Sequence, residues 1–90
     1  MLVLLCYVTD ANPECWNGTK DVHGFDGVSH NLNSLDQCTA KCIAISSCVA
    51  IDWQPSNAGK TCWTLTFTLT REAIQLGVIT HYELNRSCLR

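Results

Sequence analysis

The chain lacks a long apolar run and a basic cluster, and each absence excludes a class of function. No apolar stretch reaches the roughly 18 to 20 residues that a bilayer-spanning helix needs, so we expect no direct membrane insertion. The six lysines and arginines are scattered from Lys20 to Arg90, and the net charge is -2. Since proteins bind nucleic acids through clustered basic side chains, we expect no nucleic-acid partner.

The sequence also lacks the motifs of common catalytic and metal sites. It contains no nucleophile paired with a base, no carboxylate pair and no Cys-x-x-Cys. Asp21 and Asp26 stand on either side of His23, and His30 follows, but no neighbouring cysteine or acidic spacing completes a zinc set. We therefore predict that the protein is not an enzyme and has no cofactor and no metal.

What the chain has in abundance is cysteine, with seven in 90 residues. A domain this small buries too little surface to be comfortably stable without covalent help. A high cysteine content in a short chain is typical of secreted disulfide scaffolds. We therefore expect structural disulfides and a secreted or extracellular location.

The first eleven residues are interpreted separately from the rest. Met1 to Val8 resembles the apolar core of a secretory signal peptide, although the usual basic region before it is missing, and Ala11 is a small residue at a cleavage point. Cleavage of this segment would remove Cys6, the predicted unpaired cysteine, and leave six cysteines for three bridges. We interpret residues 1–11 as a signal-peptide remnant or flexible N-terminus, with a first edge strand as the alternative, and residues 12–90 as one domain.

One helix is predicted from Leu35 to about Ala44. The Ser34 side chain can accept a hydrogen bond from the backbone three residues later while Gln37 reaches back, which is the pattern of a capping box. The spacing of Leu35, Cys38 and Cys42 places both sulfurs on one face, which must be buried.

Strands and turns are predicted around this helix. Short strands are expected near Cys15 and within a polar loop, residues 20–33. Alternating apolar residues predict three further strands, at 48–53, 61–67 and 78–84, and the turn formers of residues 54–60 make the first two an antiparallel hairpin. Residues 70–77 are interpreted as one helical turn or as a loop ended by Gly77. The three tryptophans, Trp16, Trp53 and Trp63, are expected mainly in the core.

Six cysteines allow fifteen pairings, and the helix geometry limits them. Cys38 and Cys42 point the same way, so each is expected to bond to a different strand. Cys42 can reach Cys48 over a short loop, which leaves Cys38 for Cys62, and Cys15 for Cys88 across the two ends.

The spacing Cys38-x3-Cys42-x5-Cys48 followed by Cys62, with outer Cys15 and Cys88, resembles the PAN/apple family. Four stretches carry the resemblance between Cys15 and Cys88: residues 34–38, 48–53, 59–63 and 77–83. The resemblance implies an α+β fold, in which a curved antiparallel sheet of about five strands cradles one α-helix. It implies the inner pairs Cys38 with Cys62 and Cys42 with Cys48, and the outer pair of the apple subgroup, Cys15 with Cys88.

The resemblance further implies an extracellular, non-catalytic recognition module that binds a partner protein. Carbohydrate binding, which the resemblance implies for some members of the family, gives the alternative: a lectin-like module that uses the polar loop. A secreted effector or protease inhibitor is less favoured, and residues 54–60 are its candidate reactive loop. We expect either a standalone protein or one domain of a larger multidomain protein.

Loops on a rigid scaffold carry most recognition, so the ligand-binding candidates are taken from loops. They are Asp21, His23, Asp26, His30 and Asn57. Two Asn-x-Ser/Thr sequences, starting at Asn17 and Asn85, are the glycosylation candidates, since such sequences mark surface positions in secreted proteins.

Overall fold

A computed structural model describes residues 13–89 of the chain. The predictions for the apolar N-terminal segment, its cleavage at Ala11 and the unpaired Cys6 lie outside these described residues. Within them, no helix is long and apolar enough to cross a bilayer.

The described residues form the small disulfide-rich α+β domain that was predicted. The strands and helix are β1 (Trp16–Lys20), β2 (Val22–His23), β3 (Val28–His30), α1 (Leu35–Ala44), β4 (Ala50–Trp53), β5 (Cys62–Leu65), β6 (Arg71–Glu72) and β7 (Thr80–Leu84). Single 3-10 turns, Pro13–Cys15 and Arg86–Cys88, flank the first and last strands. Five strands make one antiparallel sheet in the order β1-β7-β4-β5-β3, and β2 pairs with β6 in a separate two-stranded sheet.

Helix α1 begins where its capping residues predict. The backbone N–H of Gln37 donates to Ser34 Oγ at 3.1 Å, as in a capping box. The Gln37 side chain reaches one residue further back than expected, since its Oε1 accepts from the N–H of Asn33 at 2.7 Å. The local sequence thereby satisfies one N–H of the first helical turn, that of Gln37, and the N–H of Asn33 just before the cap.

The buried face of α1 is joined covalently to the sheet. Cys38 bonds to Cys62 on β5, and Cys42 bonds to Cys48, which precedes β4. The third disulfide joins Cys15 to Cys88 and so links the two ends of the described chain. The inner cysteines are fully buried with Ile51, and partly buried apolar side chains pack around them: Trp16, Leu32, Leu35, Ile45, Trp53, Tyr82 and Leu84.

Alternation along the strands gives the sheet two different faces. Ile51 packs in the cluster beneath the helix, so the adjacent Asp52 points to the opposite face. Trp63 lies opposite Asp52 in the β4–β5 register and shares that second face. The segment around Gly24 covers it closely, because a Cβ on Gly24 would lie 2.6 Å from the Leu65 side chain. A larger residue at position 24 would have to displace the buried side chain of Leu65.

Two of the local predictions differ in part from the structure. The polar segment at residues 20–33 contains two short strands, β2 and β3, where one was expected. Residues 70–77 form no helical turn, since Arg71 and Glu72 pair with β2. Both differences have the same cause: strand partners distant in the sequence satisfy backbone groups that a local pattern leaves open. The loop alternative describes the remainder of this segment, which ends at Gly77 with a φ of +83°.

Candidate functional site

A cavity of about 460 Å³ lies on the sheet face opposite α1. We call it the loop-covered cavity, since two loops build its walls over β4 and β5. Trp63, Leu65 and Asp52 line it from the sheet; residues from His23 to Gly27 line it from one loop, and residues 73–79 from the other. The lining combines an indole, aliphatic groups and carboxylates, a mixture common in binding sites.

Asp52 ties one wall of the loop-covered cavity to the sheet. Its Oδ2 accepts a hydrogen bond from the backbone N–H of Gly24 at 2.8 Å. Its Oδ1 lies 2.8 Å from Nδ1 of His81 on β7. A carboxylate can only accept, so His81 carries its proton on Nδ1 and donates. Asp52 is 4% exposed and His81 1%, so both hydrogen bonds are shielded from water.

The far nitrogen of His81 has no hydrogen-bond partner among the described residues. The nearest charged group is the Glu83 carboxylate, whose Oε2 is 3.6 Å from Nε2. The Glu83 carboxylate thus lies on the Nε2 side of the ring. On the Nδ1 side, the hydrogen bond to Asp52 supports the carboxylate that holds the Gly24 loop.

Sequence reasoning missed the pair formed by Asp52 and His81, which are 29 residues apart and meet only through the pairing of β4 with β7. Asp52 interrupts the apolar run of its strand, and a charged residue in a buried strand is a signal that it has a partner.

Two of the predicted ligand-binding residues, His23 and Asp26, line the loop-covered cavity. Nδ1 of His23 lies 2.8 Å from the carbonyl oxygen of Gly24, and its ring meets Phe25 edge-on. Asp26 is exposed and has a positive φ of 58°. The described residues offer its carboxylate no hydrogen-bond donor, which leaves it accessible from the cavity mouth.

Asp21 has a structural position beside the cavity wall. Its Oδ1 accepts from the backbone N–H of Gly77 at 2.7 Å. Its own backbone N–H donates to Ile79, and its carbonyl oxygen accepts from Ala73, both at 2.9 Å. Asp21 thus holds the loop at residues 73–79 in place, and it does not line the loop-covered cavity.

The other two candidates, His30 and Asn57, also lie away from the cavity lining. His30 is on edge strand β3, where its Nε2 is 3.1 Å from Thr64 Oγ1. Burial lowers the pKa of His30 below 6.5, and the positive charge of Lys41 lowers it further, so the ring is neutral at pH 7.

Asn57 stabilises the hairpin tip between β4 and β5. Its Nδ2 donates to the Lys60 carbonyl oxygen at 2.9 Å, and its backbone N–H donates to Gln54 at 3.1 Å. The tip is therefore folded back on itself as a closed turn.

The tryptophans separate into two groups. Trp16 and Trp53 pack against the buried cysteine cluster, as expected for core residues. Trp63 is half-buried and lines the loop-covered cavity. Its different position follows from register, because its side chain is on the face opposite the helix.

Exposed apolar side chains are concentrated in the segment at residues 66–77. Ile74 is fully exposed and lines the mouth of the loop-covered cavity, while Leu69 and Leu76 are each 70% exposed and Phe67 is 54% exposed. Their closeness in the sequence makes this segment a candidate interaction surface, since grouped apolar side chains on the surface of a small protein often mark one.

A second groove, of about 260 Å³, lies beside the terminal disulfide and is lined by both glycosylation candidates, Asn17 and Asn85.

In residues 13–89 no cluster of three or more His, Cys, Asp or Glu side chains is arranged to hold a metal ion. Comparison of the chain with family models, curated proteins and solved structures finds no match.

Proposed function

We propose that residues 12–90 form an extracellular, non-catalytic recognition module of the PAN/apple type, which binds a partner protein at the loop-covered cavity. The observation that carries this proposal is the cavity itself, about 460 Å³ in volume, open to solvent and bordered by fully exposed Ile74. Burial of such a side chain by a partner would release about 1.5 to 3 kcal/mol of hydrophobic free energy.

Two properties of the described residues support an extracellular location. They contain three disulfides, which persist in oxidising compartments. The resemblance of the cysteine spacing to PAN/apple domains points in the same direction.

The rigidity of the scaffold supports recognition without a large structural change. The cavity walls are held by the Asp52–Gly24 and Asp21–Gly77 hydrogen bonds, and the sheet beneath them is bonded to α1. A pre-organised site loses less conformational entropy on binding than a mobile one. Asp26, free at the cavity mouth, supplies a polar group that can orient a partner.

The protein-binding proposal is tested with two variants that add the same charge at different places. Ile74→Asp alters the cavity mouth, whereas Leu69→Asp alters an exposed apolar side chain that does not line the cavity. The immobilised wild-type domain is used to capture a partner from extracellular fluid, and the affinity of the captured protein is then measured. We expect Ile74→Asp to weaken this affinity about tenfold or more and Leu69→Asp to leave it within about twofold.

A partner that binds both variants as tightly as wild type would contradict use of the loop-covered cavity. Absence of any captured protein would contradict the protein-binding proposal as a whole.

Carbohydrate binding is the second candidate, and Trp63 favours it. Its indole lines the cavity together with the polar side chains of Gln54 and Asp26. An aromatic face beside a few polar groups is a suitable surface for a sugar ring. A glycan array would show binding that Trp63→Ala abolishes and Leu69→Asp retains. An array with no signal above background would exclude this candidate.

A further inference from the structure

Two sequence motifs lie outside the proposed binding site: Asn17-Gly18-Thr19 and Asn85-Arg86-Ser87. They stand near opposite ends of the described chain, on β1 and directly after β7. The β1–β7 register places Asn17 opposite Glu83, and the N–H of Asn85 donates to the Cys15 carbonyl oxygen at 2.8 Å. Both asparagines are exposed and line one shallow groove. The fold therefore brings the two motifs together.

Both side-chain amides are available for modification. An N-linked glycan is attached to Nδ2, and within residues 13–89 the Nδ2 of neither Asn17 nor Asn85 makes a hydrogen bond. The Asn85 Oδ1 accepts from the Ser87 Oγ at 2.7 Å and from the Ser87 N–H at 3.2 Å. Those bonds use the oxygen alone, so a sugar on Nδ2 leaves them intact.

Arg86 turns the second motif outward. Its guanidinium reaches away from the groove and donates to backbone carbonyl oxygens at the end of α1, the closest being Ile45 at 2.6 Å. The residues on either side of Arg86 are exposed, whereas Arg86 itself is half-buried. The middle residue of the motif thus holds Asn85 and Ser87 at the surface.

We propose that Asn17 and Asn85 both carry N-linked glycans, which stand side by side next to the Cys15–Cys88 disulfide. The proposal depends on the extracellular location stated under the proposed function, because this modification is made in the secretory pathway. In the transfer, Nδ2 forms a bond to C1 of a lipid-diphosphate-linked oligosaccharide as the bond from C1 to the diphosphate oxygen breaks. The lipid diphosphate leaves with the bonding electron pair, and the proton lost from Nδ2 passes to solvent.

The glycans would also restrict the directions from which a partner can approach the loop-covered cavity. Asn17 and Thr19 share a strand face, and Thr19 lies opposite His81, which contacts cavity residue Asp52. The Asn17 glycan therefore stands on the cavity-bearing face of the sheet, along its β1 side, and the Asn85 glycan stands beside it. The other side of the cavity, near Trp63, remains open to a partner.

The full chain is secreted from human cells behind a cleavable leader, recovered from the medium and treated with peptide N-glycosidase in ¹⁸O-labelled water. We expect Asn17 and Asn85 to be recovered as ¹⁸O-labelled aspartate, and exposed Asn31, which is in no such motif, to be unlabelled. Thr19→Ala and Ser87→Ala should each remove one glycan. The matched variants Thr19→Ser and Ser87→Thr keep the motif and should keep both glycans.

Secreted, disulfide-bonded protein with the mass of the bare polypeptide, or with a glycan at one site only, would overturn this proposal and leave the proposed function standing. If the protein instead stays inside the cell without its disulfides, that result would overturn the extracellular location, and the glycosylation proposal with it.

Discussion

Asp52 connects two parts of the molecule through its two carboxylate oxygens. One oxygen holds the loop at Gly24 and the other holds His81 on β7, at 2.8 Å each. Hydrogen bonds to a charged group are stronger than neutral ones, and a buried donor left without its acceptor is costly. This single residue thus maintains one wall of the candidate site.

Replacing Asp52 by alanine should destabilise the domain by about 2 to 4 kcal/mol, because the Gly24 N–H and the His81 Nδ1–H both lose their acceptor in a buried place. The free energy of unfolding is measured by urea titration with the disulfides intact. Asp36→Ala serves as the control, since Asp36 is exposed in the first turn of α1 and its loss should cost less than about 1 kcal/mol. Equal costs for the two variants would contradict the anchoring role of Asp52.

At the scale of the element, α1 begins and ends by different means. Its start is capped by Ser34 and Gln37 from the adjacent sequence. Its end is capped from far along the chain by Arg86, which donates to the carbonyl oxygens of Cys42 and Ile45 at 3.0 and 2.6 Å. A cation at the negative end of a helix is favourable, and the planar guanidinium can serve several carbonyls at once.

Arg86→Met should lower the free energy of unfolding by about 2 to 3 kcal/mol, because several carbonyl oxygens at the end of α1 lose a charged donor. The free energy of unfolding of Arg86→Lys should lie between that of Arg86→Met and that of wild type, since an ammonium group cannot span the same set of acceptors. The matched control is Arg71→Met, where an exposed guanidinium 5.6 Å from the Phe25 ring contributes about 0.5 to 1 kcal/mol. Urea unfolding gives the three values; an Arg86→Met cost no larger than that of Arg71→Met would contradict the cap.

At the scale of the whole molecule, the three disulfides constrain the unfolded chain to different degrees. Cys15 and Cys88 are separated by 73 residues, Cys38 and Cys62 by 24, and Cys42 and Cys48 by 6. In the chain-entropy model the stabilisation grows with the logarithm of the closed loop. The terminal bridge therefore contributes most to a domain whose total stability is about 5 to 15 kcal/mol.

The double variant Cys15→Ala/Cys88→Ala should lose about 4 kcal/mol of unfolding free energy, and Cys42→Ala/Cys48→Ala about 2 kcal/mol. Each double variant removes one sulfur from an equally buried position, since Cys15 and Cys48 are both 1% exposed. Urea titration under non-reducing conditions measures both losses. The reverse order would contradict an entropic origin of the difference.

The sequence by itself determined the local features of this protein. The start of α1, the shared helix face of Cys38 and Cys42, and the alternation of the strands around Ile51 and Trp63 can be read from the types and spacing of residues a few positions apart. The disulfides of the structure have the pairing that the helix face and the family resemblance led us to expect. Of the ligand-binding candidates, His23 and Asp26 are the two that line the cavity.

Tertiary structure alone decided the rest of the candidate site. The Asp52–His81 pair depends on the order of strands in the sheet, and the Asp21–Gly77 contact joins residues 56 apart in the chain. The Arg86 cap and the pairing of β6 with β2 likewise require distant partners. Periodicity tells which face of an element a residue occupies, but it does not tell which distant element covers that face. The cavity forms between such elements, so only the folded chain defines it.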